Sequence, residues 1–221
     1  MKNVLVMVLS ADVGIYKQLI QAIRQTWGSK TNQNFNIIYY YGRIPGHIPP
    51  PNGVLQTSDT LICDCDECLE YISYKTILAY KYVYNNFKFD YTFRCCCGSY
   101  IVPNELMRFV DNKPMEKFYC GVIGDPGSPR QFCSGSGYFL SRDLVKVVVE
   151  NTSELVSYNS RYNLPGHFDD VCMGMFMTAH GIYPQNGIRN DVPSKIIPGC
   201  YHYHFRHEVK YMYEIHKKLG G

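Results

Sequence analysis

The fold class follows from the apolar run at residues 3–10, Asn3-Val4-Leu5-Val6-Met7-Val8-Leu9-Ser10. A strand that is buried on both faces has this continuous apolar pattern, which is typical of parallel sheets. The next segment, from Ile15 to Trp27, has apolar residues at helical spacing and ends at Gly28, a residue that commonly stops helices. A buried strand followed by an amphipathic helix predicts the first unit of an α/β fold.

Strands and helices continue to alternate along the chain. The periodicity predicts strands at 35–41, 61–62, 91–94, 99–102, 118–123 and 137–140, and helices at 67–85, 104–110 with Asn104 as the cap, 143–151, 169–180 and in the tail to 218. The proline-rich residues 44–53 predict a loop. We therefore expect a mostly parallel central sheet flanked by helices, in one domain over residues 1–221, with ligands bound beyond the carboxyl ends of the strands.

Composition excludes several classes of protein. The chain has 221 residues, of which 46% are hydrophobic and 19% charged, as in a globular protein rather than a disordered one. Its net charge of +3 arises from scattered basic and acidic residues, so no basic face for nucleic acid is expected. The apolar runs are too short for a membrane span, and the first residues lack a signal-peptide pattern. We expect a cytoplasmic protein.

The chain contains ten cysteines, and six of them are crowded together at Cys63, Cys65, Cys68 and 95–97. Close neighbours cannot easily bridge one another, which favours reduced thiols. A zinc site is the alternative. Only Cys65 and Cys68 have the C-x-x-C spacing that structural zinc sites use in pairs.

Four segments carry a family resemblance. They are Ala22-Ile23-Arg24-Gln25-Thr26-Trp27-Gly28, Ser73-Tyr74-Lys75-Thr76, Cys133-Ser134-Gly135-Ser136-Gly137-Tyr138-Phe139-Leu140-Ser141 and Asp169-Asp170-Val171-Cys172-Met173-Gly174. In this order they resemble the I-R-x-T-W-G, N-L-T-x-K-T, C-S-G-x-G-Y-x-L-S and E-D-V-x-x-G motifs of glycosyltransferase family 31, which contains the β-1,3-galactosyltransferases and Fringe.

The resemblance implies a fold and an activity. The fold would be GT-A, a Rossmann-like α/β layer, with residues 1–102 as the nucleotide-sugar-binding half and residues 103–221 as the acceptor-binding half. The activity would be inverting transfer of a sugar, with galactose as the first expectation, from a UDP-sugar to a hydroxyl of a glycan or glycoprotein. Family members in animals and plants are usually anchored in the Golgi. This chain starts at its first strand, so we expect either a bacterial or viral type of enzyme or a domain of a longer protein.

The sequence departs from the family at its metal site. The family places an acidic D-x-D triplet at the end of the central strand, where it holds a divalent cation against the donor diphosphate. Here that position is occupied by Cys95-Cys96-Cys97. Thiols are soft ligands, whereas manganese and magnesium prefer oxygen, so we do not expect the usual manganese site. The literal D-x-D, Asp64-Cys65-Asp66, aligns with a different acidic segment and predicts a solvated turn.

Asp170 is the candidate catalytic base. Inverting transfer needs a group that accepts the proton of the attacking hydroxyl, and Asp170 matches the aspartate of the family's E-D-V motif. Pro165 and Gly166 predict a loop just before it. The alternative is that Asp169 or Asp170 only caps the helix. Asp169 is expected to be a cap or an acceptor contact.

Cations near the diphosphate could replace a metal. The candidates are Lys75, Arg94, His202 and His204. On a strand, the two histidines would share one face, in the place of the family's C-terminal histidine. The alternative is that they are surface histidines in an aromatic tail.

The remaining candidates would contact the donor or the sugar. The loop Ser10-Ala11-Asp12 and Arg24 are the expected nucleotide contacts, although Arg24 could instead pair with an acid on the sheet surface. Gly135, Ser136 and Gly137 would lie against the sugar or acceptor, but glycines in a simple turn would give the same pattern. Loss of the acidic triplet also leaves open a catalytically degenerate relative that only binds nucleotide or glycan.

Overall fold

The computed structural model describes residues 1–124, 131–161 and 169–220, so the loop prediction at Pro165 and Gly166 lies outside the described residues. In chain order the elements are β1 (Val4–Leu9), α1 (Gly14–Gln25), β2 (Phe35–Tyr41), β3 (Val54–Thr57), β4 (Thr60–Cys63), α2 (Ile72–Asn86), β5 (Tyr91–Cys96), β6 (Ser99–Ile101), α3 (Pro103–Asp111), β7 (Tyr119–Gly124), β8 (Phe132–Ser141), α4 (Arg142–Glu150), α5 (Thr152–Arg161), α6 (Asp169–Ala179), β9 (Gln185–Asn186), β10 (His202–His204) and α7 (Val209–Lys218).

Among the described residues, eight strands form the central sheet, in the order β3-β4-β2-β1-β5-β8-β7-β9. Strands β4, β2, β1 and β5 are parallel neighbours, whereas β8 runs antiparallel to β5 and β3 antiparallel to β4. The predicted α/β class with a mostly parallel central sheet is confirmed. Because of this topology, the carboxyl ends of the four parallel strands and the first half of β8 lie at one edge of the sheet.

Both faces of the sheet are covered, which explains the unbroken apolar pattern of β1. Val4, Val6 and Val8 belong to the core on the face that carries α1, α3 and α7. Leu5 and Met7 belong to the opposite core, with α2, α4, α5 and α6. Alternate residues of a strand point to opposite faces, so a strand between two helical layers has no polar side. Within the described residues, every helix is too short or too polar to traverse a lipid bilayer.

A small second sheet brings the tail of the chain to the end of β5. Strand β10 pairs antiparallel with β6, so that His204 lies opposite Ser99. The backbone amide of Phe205 donates to the carbonyl of Gly98 at 3.0 Å. A Cβ atom on Gly98 would lie only 2.1 Å from the carbonyl oxygen of Arg206, so this approach requires glycine. The segment that contains Arg206 is thereby held against the cysteine triplet.

Several element boundaries differ from the predictions. Strand β5 continues through Cys96, and helix α3 begins at Pro103 with Val102 as its N-cap, so Asn104 is not the cap. Proline is favoured in the first helical turn because its missing N–H has no intrahelical partner there. Strands β3 and β9 and helix α5 are elements that the sequence pattern does not predict.

Candidate active site

Two adjoining cavities lie beyond the carboxyl ends of β1 and β5. The first, the lysine lobe, has a volume of about 300 Å³ and is lined by Ser10, Glu67 and Lys75. The second, the aspartate lobe, has a volume of about 400 Å³ and is lined by Gly135, Asp170 and Arg206. Residues shared by both lobes make them one cleft: Leu9, Tyr16, Ile72, Cys96, Cys97 and His207. This is the edge of an α/β sheet at which ligands usually bind.

Asp170 lies in the first turn of α6 and lines the aspartate lobe, where it is half-buried. Its Oδ2 atom accepts a hydrogen bond from the amide of Gly135 at 2.7 Å, and its Oδ1 atom accepts one from the amide of Val171 at 2.9 Å. The carboxylate therefore satisfies a helix amide, as the capping alternative expects, and also faces the cleft, as the role of a base requires.

Arg94 and Asp169 form a buried ion pair beneath this lobe. Arg94 is 1% exposed, and its Nη2 atom lies 2.5 Å from Oδ2 of Asp169. Its Nε atom donates to the hydroxyl of Tyr40 at 3.1 Å, and Nη1 donates to the carbonyl of Gly135. Burial raises the pKa of Asp169 to about 6, against the opposing pull of the Arg94 charge.

This pairing corrects two predicted roles. Each guanidinium nitrogen of Arg94 already has a protein partner, so Arg94 supports the floor of the lobe rather than a donor diphosphate. Asp169 is 8% exposed and bound to Arg94, so it is neither a simple helix cap nor a free acceptor contact.

Lys75 has a comparable structural role in the lysine lobe. Its buried Nζ atom pairs with Oε1 of Glu67 and donates to the carbonyl of Ser10 at 2.9 Å. The second oxygen of Glu67 accepts the amide of Gly42 at 2.6 Å. The predicted donor contact is therefore corrected, because Glu67 already neutralises the charge of Lys75. The ammonium instead ties the loop after β1 to α2.

The loop after β1 contributes only part of its predicted contacts. Ser10 and Ala11 line the lysine lobe. The Ser10 hydroxyl is buried and donates to the carbonyl of Val8 at 2.9 Å. Asp12 forms an ion pair with Lys17 at 3.1 Å instead of lining either lobe.

Arg24 lies outside the cleft. Its guanidinium forms two hydrogen bonds with Asp59, at 2.5 and 2.9 Å, and stacks over the ring of Tyr39 with 3.9 Å between the guanidinium carbon and the ring centroid. The alternative, an ion pair on the surface of the fold, is what the structure contains, and the predicted nucleotide contact is wrong.

The two histidines of β10 differ in their burial. Their rings lie on the same side of the strand, 6.4 Å apart. His202 is 1% exposed, its Nε2 atom lies 2.9 Å from the Ser99 hydroxyl, and burial lowers its pKa well below the usual value. His202 is thus neutral and cannot provide positive charge, which corrects that prediction. His204 lines the aspartate lobe, so neither residue is a surface histidine.

The two glycines of β8 also have different surroundings. Gly135 lines the aspartate lobe, and a Cβ atom there would lie 3.1 Å from both Arg94 and Asp170. Gly137 packs instead against His202 and Phe93, where a Cβ would lie 2.7 Å from each ring, so its predicted contact with sugar is corrected. The Ser136 hydroxyl lines the lobe and accepts a hydrogen bond from Arg189 at 2.6 Å.

Tyr16, Arg206 and His207 line the cleft and are not among the site residues predicted from the sequence. Tyr16 lines both lobes, and its ring meets that of His207 edge to face with 5.3 Å between centroids. Arg206 is exposed at the aspartate lobe and adopts a positive φ of 55°. In the sequence, only the position of Arg206 after two aromatic-flanked histidines hints that it reaches the cleft. Its place there depends on the close approach of Gly98, which is distant in the chain.

The cysteine triplet does not fit a manganese or magnesium ion. Cys95 and Cys97 are buried in the core, and burial raises the pKa of both thiols, while Cys96 alone of the three is half-buried at the cleft. Thiols are poor ligands for these hard cations. Across the part of the chain that the structure describes, no group of three or more His, Cys, Asp or Glu side chains is placed to hold a metal.

Of the other cysteine and acidic motifs, Cys68 lines the lysine lobe, whereas Asp64, Cys65 and Asp66 line neither lobe. Cys63 and Cys65 are buried, and the zinc alternative has no ligand cluster among the described residues. The literal D-x-D is a surface turn, as predicted, because Arg43 pairs with Asp64 at 2.7 Å and with Asp66 at 2.8 Å.

Comparisons with known proteins support the fold at a coarse level. No protein-family model and no curated protein matches the chain. Among solved structures, the apo form of the glycosyltransferase GlyE from Streptococcus pneumoniae TIGR4 is similar, with a TM-score of 0.60 and 11% sequence identity. The match covers 97% of this chain and 60% of that one, so the chain spans about 60% of that protein's length. At this identity the likeness shows a GT-A-like, Rossmann-type fold and does not show membership of family 31.

Proposed function

We propose that this protein is an inverting glycosyltransferase that uses a nucleotide-diphosphate sugar. One observation carries the proposal: a half-buried carboxylate, Asp170, lines a two-lobed cleft beyond the ends of β1 and β5. The similarity of the fold to that of a glycosyltransferase supports it. In such a reaction the acceptor hydroxyl attacks the anomeric carbon while the diphosphate leaves from the opposite face.

Asp170 is the proposed base. The Gly135 amide holds one of its oxygens, and each carboxylate oxygen has a second lone pair that can accept a proton or a hydrogen bond. The hydroxyl becomes acidic only as its bond to the sugar forms, so a positioned carboxylate is sufficient to take its proton.

Arg206 is the proposed charge sink, together with His204 and His207. The leaving diphosphate carries about two negative charges and needs positive charge beside it. Arg94 and Lys75 are already paired with carboxylates. Arg206 lines the aspartate lobe next to the two histidines and forms no ion pair with a described residue. A guanidinium suits this role because it stays charged and binds phosphate with two donors.

The donor would extend from the lysine lobe, beside Ser10 and Ala11, to the aspartate lobe, beside Gly135 and Ser136. Tyr16, which lines both lobes, offers an aromatic face for the nucleobase of the donor. UDP as the nucleotide, galactose as the sugar and a glycan or glycoprotein as the acceptor rest on the resemblance to family 31 alone.

The test is turnover of a panel of nucleotide sugars with and without EDTA. We expect a UDP-sugar to be consumed in EDTA, because the cleft contains an arginine but no set of hard ligands among its described residues. Complete loss of activity that manganese restores would contradict this. Binding of UDP without turnover of any sugar would instead support the degenerate relative.

A matched pair of variants tests the charge sink. Arg206→Gln should weaken UDP binding by about tenfold, equivalent to about 1.4 kcal/mol, because it removes the charge beside the diphosphate. Arg108→Gln removes an exposed arginine of α3, which pairs with Glu105, and should leave UDP affinity unchanged. Equal affinities in both variants would remove Arg206 from the site.

A further inference from the structure

Arg189 does not line the aspartate lobe, but it contacts two residues that do. Its side chain is 14% exposed, and its Nη1 atom donates to the hydroxyls of Ser134 at 3.0 Å and Ser136 at 2.6 Å. Both serines line the lobe, and they flank Gly135, whose amide holds the carboxylate of Asp170. One guanidinium therefore binds the residues on either side of the group that positions the candidate base.

A carboxylate fixes the orientation of this guanidinium. Nε of Arg189 lies 2.8 Å from Oδ1 of Asp191, and Nη2 lies 2.8 Å from Oδ2 of the same side chain. A two-point pair between a planar guanidinium and a carboxylate fixes direction as well as charge. The third nitrogen, Nη1, is thereby directed at the two serines. Because each nitrogen of Arg189 faces a protein oxygen, Arg189 acts on a ligand of the lobe only through these hydroxyls.

The hydrogen bonds around the two serines determine which proton faces the lobe. Arginine carries no acceptor atom, so both serine oxygens accept from Arg189. Ser134 Oγ also accepts from the backbone amide of Ser136 at 3.4 Å, which occupies its second lone pair. The two hydroxyl oxygens lie 3.3 Å apart, so the proton of Ser134 points to Ser136 Oγ. Both lone pairs of Ser136 Oγ are then occupied, and its own proton, which has no acceptor among the described residues, is left for a ligand in the lobe.

The charge of Arg189 makes the Ser136 hydroxyl a stronger donor. Hydrogen bonds in a chain polarise one another, and here the first donor of the chain is a cation. Ser136 is 6% exposed, so its hydroxyl is held in place by protein contacts rather than by bulk water. The diphosphate is better matched by the charge of Arg206, whereas a neutral donor next to the candidate base matches a hydroxyl of the sugar.

We propose that Arg189 is a positioning residue that sets the Ser136 hydroxyl as a hydrogen-bond donor to a hydroxyl oxygen of the transferred sugar. The bond holds the sugar ring in one orientation beside Asp170. This assignment rests on the proposed function, because it requires a donor sugar in the aspartate lobe. It makes a residue that does not line the lobe a determinant of sugar affinity.

The test compares the binding of UDP with the binding of a UDP-sugar, measured by titration calorimetry without acceptor. The UDP-sugar is the one that the protein turns over fastest, or UDP-galactose if it turns over none. We expect Ser136→Ala to weaken binding of the UDP-sugar by about fivefold and to leave UDP binding within about twofold, because only the sugar loses a hydrogen bond. Unchanged binding of the UDP-sugar would overturn the proposal. An equal loss for both ligands would also overturn it, because the hydroxyl would then contact the nucleotide or the diphosphate.

A double-mutant cycle separates positioning by Arg189 from a merely structural role. Arg189→Met should weaken binding of the UDP-sugar by about threefold in the native background and by less than about 1.5-fold in the Ser136→Ala background, because its effect passes through that hydroxyl. Equal losses in the two backgrounds would show that Arg189 only supports the fold around the cleft, and would overturn the proposal. Arg24→Met, the control, removes a comparable two-point pair with Asp59 outside the cleft and should change neither affinity.

If Arg189→Met does not fold, a crystal structure of the native protein with the UDP-sugar bound decides instead. Ser136 Oγ should lie within hydrogen-bond distance of a sugar hydroxyl while Arg189 still contacts both serines, and a sugar that does not contact Ser136 would overturn the proposal. A protein that binds UDP but is indifferent to Ser136→Ala refutes this assignment alone. A protein that binds neither UDP nor any UDP-sugar refutes the proposed function, and this assignment with it.

Discussion

At the scale of residues, burial decides the chemistry of identical side chains. His202 and His204 lie two positions apart on β10, yet the first is inside the core against Phe93 and the second lines the cleft. The same holds for Cys95 and Cys96, where one sulfur is buried in the core and its neighbour is half-buried at the cleft. Residue type alone therefore does not identify a functional group in this chain.

His202 should make the protein less stable in acid. Its folded pKa is depressed, so the unfolded chain binds a proton near pH 6.5 that the folded chain does not. The stability contribution is complete above that pH and falls by about 1.4 kcal/mol for each pH unit below it. We expect His202→Gln to remove this part of the pH dependence of the free energy of unfolding between pH 7 and pH 5, measured by urea unfolding. Identical slopes in the two proteins would show that His202 titrates normally.

At the scale of elements, a buried ion pair fastens α6 to β5. Arg94 comes from the central strand and Asp169 from the start of the helix that carries Asp170. Thr76 of α2 also donates to Asp169, at 3.4 Å. The position of the candidate base thus depends on a network that lies below the cleft.

Breaking this pair should be costly. Asp169→Asn leaves the Arg94 charge buried without its partner, and we expect a loss of about 3–5 kcal/mol in the free energy of unfolding. The double variant Arg94→Met/Asp169→Leu should lose less than the single one, because it leaves no unpaired charge. Asp59→Asn, which breaks the exposed pair with Arg24, should cost no more than about 1 kcal/mol. Equal losses for the buried and exposed pairs would contradict the network.

At the scale of the whole molecule, local pattern predicts the fold but only part of the site. The apolar period of β1 and the helical period of α1 are local signals, and they give the α/β class and the edge at which the cleft forms. Asp170 is predicted to face a crevice, and it lines one. Its role as the base stays a prediction.

The rest of the site depends on contacts between distant parts of the chain. No local pattern indicates that Arg94 meets Asp169, 75 positions away, or that Lys75 meets Glu67 under the loop of Ser10. Arg206 reaches the cleft only because Gly98 lets the tail approach the end of β5. Motif matching therefore finds the charged residues of the region but cannot separate those already paired from those left to bind a ligand.

The most direct test of the account is Asp170→Asn, assayed for both turnover and donor binding. Removing the base should lower kcat by about 10²–10⁴-fold while the affinity for UDP stays within about twofold, since the amide keeps its size and general base catalysis contributes on this order. Asp66→Asn, which removes a carboxylate of the surface turn, serves as the control and should retain full turnover. An Asp170→Asn protein with undiminished kcat would contradict the central claim that this aspartate takes the proton of the acceptor.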